Sequence, residues 1–359
     1  MSMNTGASRR RVSLALAATL ALGTMMAGQA AMAQQRLLET GSTLLYPLFN
    51  LWVPVYSKAH PGVQITTQGT GSGTGISEAI SGIAQIGASD AYMSNPQMRM
   101  HPGILNIPLA ISSQMVNYNV PGLNNRHLKL SGPVLAGMYS GQIRYWDDPA
   151  VARLNPGVRL PHQLIVLVHR TDGSGDTFIF TQYLSFSTPS WNNSVGYGTT
   201  VSWPAVQGGI GAEGNPGMVN ACKGTPYSIA YIGISFKSAT DGAHLGEALL
   251  LNRSGRFVLP NPRTVKAAVE ATSAKTPQDE RISLIFAPGA ESYPIINYEY
   301  AIVNAQQANP QAATALREFL DWTLSPRAGN SARFMHAVGF VALPPAIAKL
   351  SSTQVAKIH

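Results

Sequence analysis

Three segments of this 359-residue chain are turns of small hydroxyl and glycine residues between an apolar run and a helical pattern. The first is Glu39-Thr40-Gly41-Ser42-Thr43, leading into residues 44–56. The second is Gly69-Thr70-Gly71-Ser72-Gly73-Thr74-Gly75. The third is His169-Arg170-Thr171-Asp172-Gly173-Ser174-Gly175-Asp176-Thr177. At such a junction the first helical N–H groups have no acceptor within the helix, and the helix dipole adds partial positive charge. Glycines let an anion reach those N–H groups, and Ser and Thr add O–H donors. One such turn says little, because Ser and Thr cap helices everywhere. Three in one chain, one of them carrying Arg170, describe a site able to hold a dehydrated anion.

A fourth segment, Ile86-Gly87-Ala88-Ser89-Asp90, reads as a strand ending in an acid. An acid beside an anion is repulsive unless the anion carries a proton. A carboxylate accepts a hydrogen bond from a phosphate hydroxyl and repels fully ionised sulfate. Other chemistries fit less well. Asp172-Gly173-Ser174-Gly175 lacks the first glycine of a nucleophile elbow, so Ser174 is no obvious hydrolase nucleophile. Asp172, Ser174 and Asp176 alternate as in a calcium loop, but Thr177 stands at the required glycine and Tyr183 at the required Glu. The eight His residues have no metal-ligand spacing, and no cofactor is expected.

The elements that must position these residues are those of an α/β chain. Val63-Gln64-Ile65-Thr66-Thr67 reads as a strand, and Ile76, Ala79, Ile80 and Ile83 follow at helical spacing. The apolar run 164–168 reads as a strand covered on both faces. A helical pattern through Ile179, Phe180, Tyr183 and Leu184 comes after it. Asn309-Pro310 signals a helix start, with Leu316, Phe319, Leu320 and Thr323 on one face. Trp146-Asp147-Asp148-Pro149 reads as a turn and helix start without ligand contact. The stretch 189–226, rich in Gly, Asn, Ser and Trp, is expected to form long ordered loops.

Bulk properties set the compartment. Arg9-Arg10-Arg11, the apolar run 12–27 and Ala31-Met32-Ala33 form an export signal cleaved after Ala33. Ser8-Arg9-Arg10 also resembles a twin-arginine signal, so both export routes stay open. Removing it takes three arginines and lowers the net charge from +8 to about +5 over about 326 residues. That scattered excess favours a small anion and does not point to nucleic acid. Cys222, the single cysteine, gives no disulfide framework, and no cysteine follows the signal to carry a lipid. A freely diffusing periplasmic protein is expected.

The chain resembles the substrate-binding protein of the high-affinity ABC phosphate transporter, particularly its mycobacterial branch. The similar stretches include Gly69-Thr70-Gly71-Ser72-Gly73, Gly87-Ala88-Ser89-Asp90, Tyr145-Trp146-Asp147-Asp148, Leu154-Asn155-Pro156-Gly157, Asp172-Gly173-Ser174-Gly175-Asp176-Thr177 and Asn297-Tyr298-Glu299-Tyr300-Ala301-Ile302. The resemblance implies a type II periplasmic binding protein: two α/β lobes joined by a two-strand hinge, with the ligand in the cleft. Lobe 1 would comprise residues 34–116 and 297–359, and lobe 2 residues 117–296, with crossings near 116–119 and 295–301. The resemblance also assigns roles. Thr43, the backbone of Leu44 and Ser72 would donate to phosphate, and Asp90 would accept its proton. Arg170 would supply charge, oriented by Asp172, while Ser174 and the N–H of Gly175 complete the shell. Leu44 stands where an aromatic residue is familiar. Asp176 stands where Thr is common, so it would either face the ligand as a second acceptor or turn away to cap its helix or pair with Arg170. The expected partners are inorganic phosphate, with arsenate as analogue, and the membrane permease subunits of an ABC importer. The receptor itself would be a monomer without enzymatic activity.

Overall fold

The computed structural model describes residues 34–359 and Met1. The expected export signal and its cleavage site lie outside these residues. Eight strands carry the architecture: β1 (Gln35–Gly41), β2 (Val63–Gly69), β3 (Ile86–Ser89), β4 (Ile104–Asn119), β5 (Val166–Arg170), β6 (Ile210–Ala212), β7 (Ser228–Gly233) and β8 (Ile296–Asn304). Their order across the sheet is β2-β1-β3-β8-β4-β7-β5-β6, and a short strand at Gly246–Glu247 also pairs with β4. The two ends are parallel: β1 with β2 and β3, and β5 with β6 and β7. Each parallel set implies crossover helices on its faces. The two central strands, β8 and β4, are antiparallel to their neighbours.

β4 joins the halves. Its residues up to Ser113 pair with β8, and from Gln114 onward it pairs with β7. One 16-residue strand, buried along nearly its whole length, thus belongs to two sheets in succession. β8 begins at the same point, with Ile296 opposite Ser113. The architecture is that of a two-lobed periplasmic binding protein, and its longest strand changes partner between Ser113 and Gln114.

Five helices bear on the site: α1 (Tyr46–Ala59), α2 (Ser72–Ser81), α3 (Gly175–Ser187), α4 (Gly214–Gly224) and α5 (Pro310–Leu324). α1 packs Tyr56 edge-on against Phe319 of α5, centroids 4.9 Å apart. In the other half, Phe180 of α3 stacks on Tyr231 of β7 at 4.5 Å. Asn309 caps α5 through its side-chain oxygen, which accepts from the N–H of Ala312 at 2.8 Å, and Pro310 fits the first turn as expected. Leu316, Phe319, Leu320 and Thr323 form its buried face.

Three sequence expectations are corrected. Ile83 is not part of the helical face of α2: Gly82, at φ +73°, ends the helix in a left-handed turn, and Ile83 lies 61% exposed beyond it. The strand in the third segment runs from Val166 rather than Leu164, because Leu164 bridges to Tyr145 instead. The stretch 189–226 is not all loop. It holds the helix Pro189–Ser194, strand β6 and the eleven-residue helix α4. Four poor helix formers in its first turn (Gly214-Asn215-Pro216-Gly217) hid α4, whose Met218, Val219 and Cys222 are buried by tertiary packing.

Candidate functional site

The N-terminal ends of α1, α2 and α3 come together. Gly73 of α2 donates its N–H to the carbonyl of Gly173, across from α3, at 2.8 Å. A Cβ on Gly175 would stand 2.3 Å from Asp90 Oδ2 and 2.4 Å from Ser72 Oγ. Only glycine permits this approach, so the first turn of α3 sits directly against the end of β3. Ser72, Asp90, Arg170, Ser174, Gly175 and Asp176 are all buried.

Arg170, at the end of β5, is 3% exposed. Its Nε donates to Asp172 Oδ1 at 2.7 Å, its Nη2 donates to Asp172 Oδ2, and its Nη1 donates to Asp176 Oδ2 at 2.9 Å. The bidentate fork fixes the guanidinium plane. Burial works to lower the Arg170 pKa, but the bonds and charges of Asp172 and Asp176 raise it overall, so the group stays cationic. Burial likewise works to raise Asp172, and the Arg170 guanidinium overrides it, holding the carboxyl below its ordinary range. Asp172 Oδ1 also accepts from the N–H of Gly214 at 3.2 Å.

Asp90, 2% exposed, feels this cation and, when ionised, offers acceptors only. Ser42 Oγ donates to its Oδ1, and Ser72 Oγ reaches its Oδ2 at 3.4 Å. Burial first, and the charge of Asp176 second, push its pKa up to about 7, against hydrogen bonds from Glu299 and Ser42 and the charge of Arg170. Burial raises Asp176 as well, opposed by Arg170, Gln114 and Asn215. One cation therefore serves three carboxylates, and burial pushes two of those, Asp90 and Asp176, upward.

The remaining expected residues are placed as follows. Thr43 Oγ1 accepts from the side chain of Asn215 at 3.0 Å and from its N–H at 3.2 Å. The Leu44 N–H donates to Ser42 Oγ at 3.1 Å, and the Leu44 side chain packs on Gly233. Ser174 caps α3, its Oγ accepting from the N–H of Thr177 at 3.1 Å. Gly175 opens α3, where a helical N–H has no internal acceptor. Asp176 pairs with Arg170 rather than capping, and Gln114 Nε2 donates to its Oδ1 at 3.0 Å. Asp148 caps the helix Pro149–Leu154, and His169 stacks on Trp203 at the end of β5.

Sequence reasoning passed over five residues. Ser42 lay inside a quoted turn and serves Asp90. Asn215 donates to both Thr43 and Asp176, at 3.0 and 2.6 Å. Gln114 stands at the strand's partner change. The Tyr231 hydroxyl accepts from the Arg170 N–H at 2.9 Å. Glu299 lies within β8, where an acid in an otherwise apolar buried run was the available signal.

A cavity of about 470 Å³ opens beside these residues, lined by Gly73, Ala91 and Tyr92 on one side and Phe178, Tyr197 and Thr199 on the other. Its lining includes Gly73 and Ala91, the chain neighbours of Ser72 and Asp90. Among the described residues no cluster of His, Cys, Asp and Glu could hold a metal ion, and no helix is long and apolar enough to cross a membrane.

Residues 28–327 match the family model described as a PBP superfamily domain. The phosphate-binding protein PstS of Methanocaldococcus jannaschii is 35% identical over 334 residues, covering 88% of this chain and 84% of that protein. The phosphate-binding protein PstS3 of Mycobacterium bovis is 31% identical, covering 90% and 86%. Among solved structures, a high-affinity periplasmic phosphate-binding protein (PfluDING) bound with phosphate superposes with a TM-score of 0.70 at 21% identity, covering 88% of this chain and 92% of that one. A phosphate-binding protein from Stenotrophomonas maltophilia gives 0.68 at 18% identity, covering 89% and 93%. These two likenesses are of fold. Together with the sequence relatives, they show that the chain belongs to the PstS family within the PBP superfamily.

Proposed function

We propose that this chain binds inorganic phosphate with high affinity between its two lobes and delivers it to the permease subunits of an ABC importer. The observation that carries the reading is the opposition of Arg170 and Asp90 across the lobe junction. One is a buried cation with a fixed fork, and the other is a buried acceptor that suits a protonated anion. Thr43, the Leu44 N–H, Ser72, Ser174 and the Gly175 N–H supply the remaining donors once the ligand takes the place of their present partners. Lobe 1 (residues 34–116 and 297–359) brings Thr43, Ser72 and Asp90, and lobe 2 (residues 117–296) brings Arg170 to Asp176. Closure of one lobe on the other then completes the shell.

The protein works as an exported, monomeric periplasmic receptor cleaved after Ala33, and it performs no catalysis. Its curated relatives named phosphate-binding proteins support that reading. Calorimetric titration of the mature protein with phosphate, arsenate and sulfate tests it. Phosphate and arsenate should bind and sulfate should be rejected, by roughly 10⁴–10⁵-fold at alkaline pH for a site built around a ligand hydroxyl. Sulfate within about tenfold of phosphate there would assign the site to another oxyanion. Product release from a chromogenic phosphate ester would assign it to an enzyme.

A further inference from the structure

Glu299 is 0% exposed, and it sits on β8 where the pairing with β4 slips between Glu299 and Tyr300. Such a bulge re-aims side chains next to a functional site. Two of the neighbouring donors serve one of its oxygens: Ser112 Oγ and Asn297 Nδ2, the latter at 3.1 Å, reach Oε1. The same Asn297 Nδ2 reaches the carbonyl oxygen of Asp90 at 3.2 Å. The other oxygen, Oε2, has no N–H or O–H donor within reach. Instead, the Glu299 carboxyl hydrogen-bonds the Asp90 carboxyl.

Two buried carboxyl groups in direct contact cannot both be ionised at modest cost, so one proton lies between them. The charged groups facing the pair are Arg170 and Asp176. Arg170 is already engaged by Asp172 and Asp176, and Asp176 adds negative charge. The surroundings also rank the two acids. Ser42 donates to Asp90 Oδ1, Ser72 reaches its Oδ2 and the Arg170 charge favours its ionised form, whereas both donors at Glu299 serve Oε1 and leave Oε2 without one. The proton therefore belongs on Glu299 Oε2.

We propose that Glu299 is a positioning residue for anion selectivity: as a neutral acid it donates to Asp90 and so keeps Asp90 a pure acceptor towards the bound anion. The inference rests on the phosphate reading of the site. An ionised Asp90 takes a hydrogen bond from a phosphate hydroxyl and repels sulfate. Without the donor behind it, Asp90 would take up a proton itself, become a donor, and admit sulfate. No proton is transferred on binding. Glu299 acts through Asp90 and does not touch the ligand.

The test uses the mature protein with Glu299→Met, which keeps the length and removes the donor, and Glu299→Gln, which keeps a donor that cannot ionise. Phosphate and sulfate affinities are measured across about pH 5–9. Sulfate carries no proton in this range, so its profile reports the state of Asp90. A hydrogen bond to a charged group corresponds to roughly one to two pH units. Glu299→Met should shift the sulfate profile upward by that amount and shrink the phosphate preference roughly ten- to a hundredfold at pH 7. Glu299→Gln should stay within about threefold of wild type. Equal weakening of both anions in Glu299→Met, or an unchanged preference, overturns the role of Glu299. Absence of phosphate binding by the wild type overturns the site reading itself. Should Glu299→Met not fold, infrared difference spectroscopy of wild type against Glu299→Gln decides. A protonated carboxyl band present at pH 7 and lost in Glu299→Gln supports the proposal, and its absence in the wild type refutes it.

Discussion

Arg170 Nη1 lies 2.9 Å from Asp176 Oδ2, and each of these side chains is only 1% exposed. The two residues flank the turn between β5 and α3, so the pair locks the strand end to the helix start. Asp172 holds the other edge of the same guanidinium. The cation that a bound anion would meet is thus preset in plane and position before any ligand arrives, which lowers the ordering cost of binding.

Replacing Arg170 removes the only cation in this group and leaves Asp172 and Asp176 buried together. Loss of one member of a buried charge pair costs about 3–5 kcal/mol. Arg170→Ala should therefore weaken phosphate binding by roughly a hundred- to several thousandfold and lower the ligand-free melting temperature. Arg170→Lys should recover only part of the affinity, since a point charge cannot bond Asp172 and Asp176 in one plane. An unchanged dissociation constant for Arg170→Ala in titration calorimetry would move the site elsewhere.

Gly175 makes a second expectation. A methyl there meets Asp90 Oδ2 and Ser72 Oγ, both held by hydrogen bonds and both assigned to the opposite lobe in the proposed reading. The lobes can open to relieve it, so the cost falls on closure more than on folding. Gly175→Ala should weaken phosphate by about 1–3 kcal/mol, the usual penalty for overpacking, with a ligand-free melting temperature close to wild type. Full affinity in Gly175→Ala would show that this contact is not part of the ligand-bound form.

How much of this was legible beforehand follows from range along the chain. The turns around Ser72, Arg170 and Gly175 read correctly as strand-to-helix junctions, and Ile86–Ser89 as a strand before Asp90, because hydroxyl caps and glycines act within a few residues. Asn215 did not, since its value lies in reaching Thr43 and Asp176, 172 and 39 residues away. Gln114 was hidden for the same reason, since its environment is made by β4 changing partners. Glu299 left a local signal, an acid inside a buried strand, but its contacts come from the register slip and from residues far along the chain. The two-lobed fold was expected from the resemblance, and β4 changes its sheet partner between Ser113 and Gln114.

The Asp90 pKa of about 7 gives the selectivity a pH dependence. Above that value Asp90 is ionised in the ligand-free protein, accepts from phosphate and repels sulfate. Below it Asp90 gains a proton and can donate to either anion. Sulfate should therefore bind better as pH falls through about 7, approaching tenfold per unit by proton linkage. Sulfate affinity that is flat from about pH 5 to 9 would mean that Asp90 does not face the ligand.

Stability should also depend on pH. Burial pushes Glu39 up to about 8, against bonds from Thr67 and the Gln68 backbone. An acid with a raised folded pKa binds more protons folded than unfolded, so stability falls as pH rises. The favourable term is complete below the unfolded pKa near 4.5 and is lost as pH rises through about 8. Ligand-free protein should melt at higher temperature near pH 5 than near pH 8.5. Glu39→Gln should flatten that trend, and an equally steep trend in Glu39→Gln would assign it to other groups.

Asp176 decides the last expectation. A carboxylate facing the ligand would require dihydrogen phosphate, because monohydrogen phosphate has one proton and Asp90 already claims it. In the structure its Oδ1 accepts from Gln114, and its Oδ2 accepts from Arg170 and from Asn215 at 2.6 Å. Those bonds occupy three of the roughly four acceptor sites of the carboxylate, both of those on Oδ2 among them, and tie it to groups of its own protein rather than to a second phosphate hydroxyl. Asp176 then acts by holding Arg170, and its substitution should change the strength of binding without changing its pH dependence. Asp176→Asn keeps an acceptor for Arg170 but loses the charge, so phosphate should weaken by a similar factor at every pH from about 6 to 9, the window spanning the second ionisation of phosphate. The wild-type and variant profiles should run parallel. Asp176→Thr loses the contact with Nη1 and should fall further, again in parallel. Should either substitution flatten an alkaline decline seen in the wild type, Asp176 faces the ligand and the site selects dihydrogen phosphate.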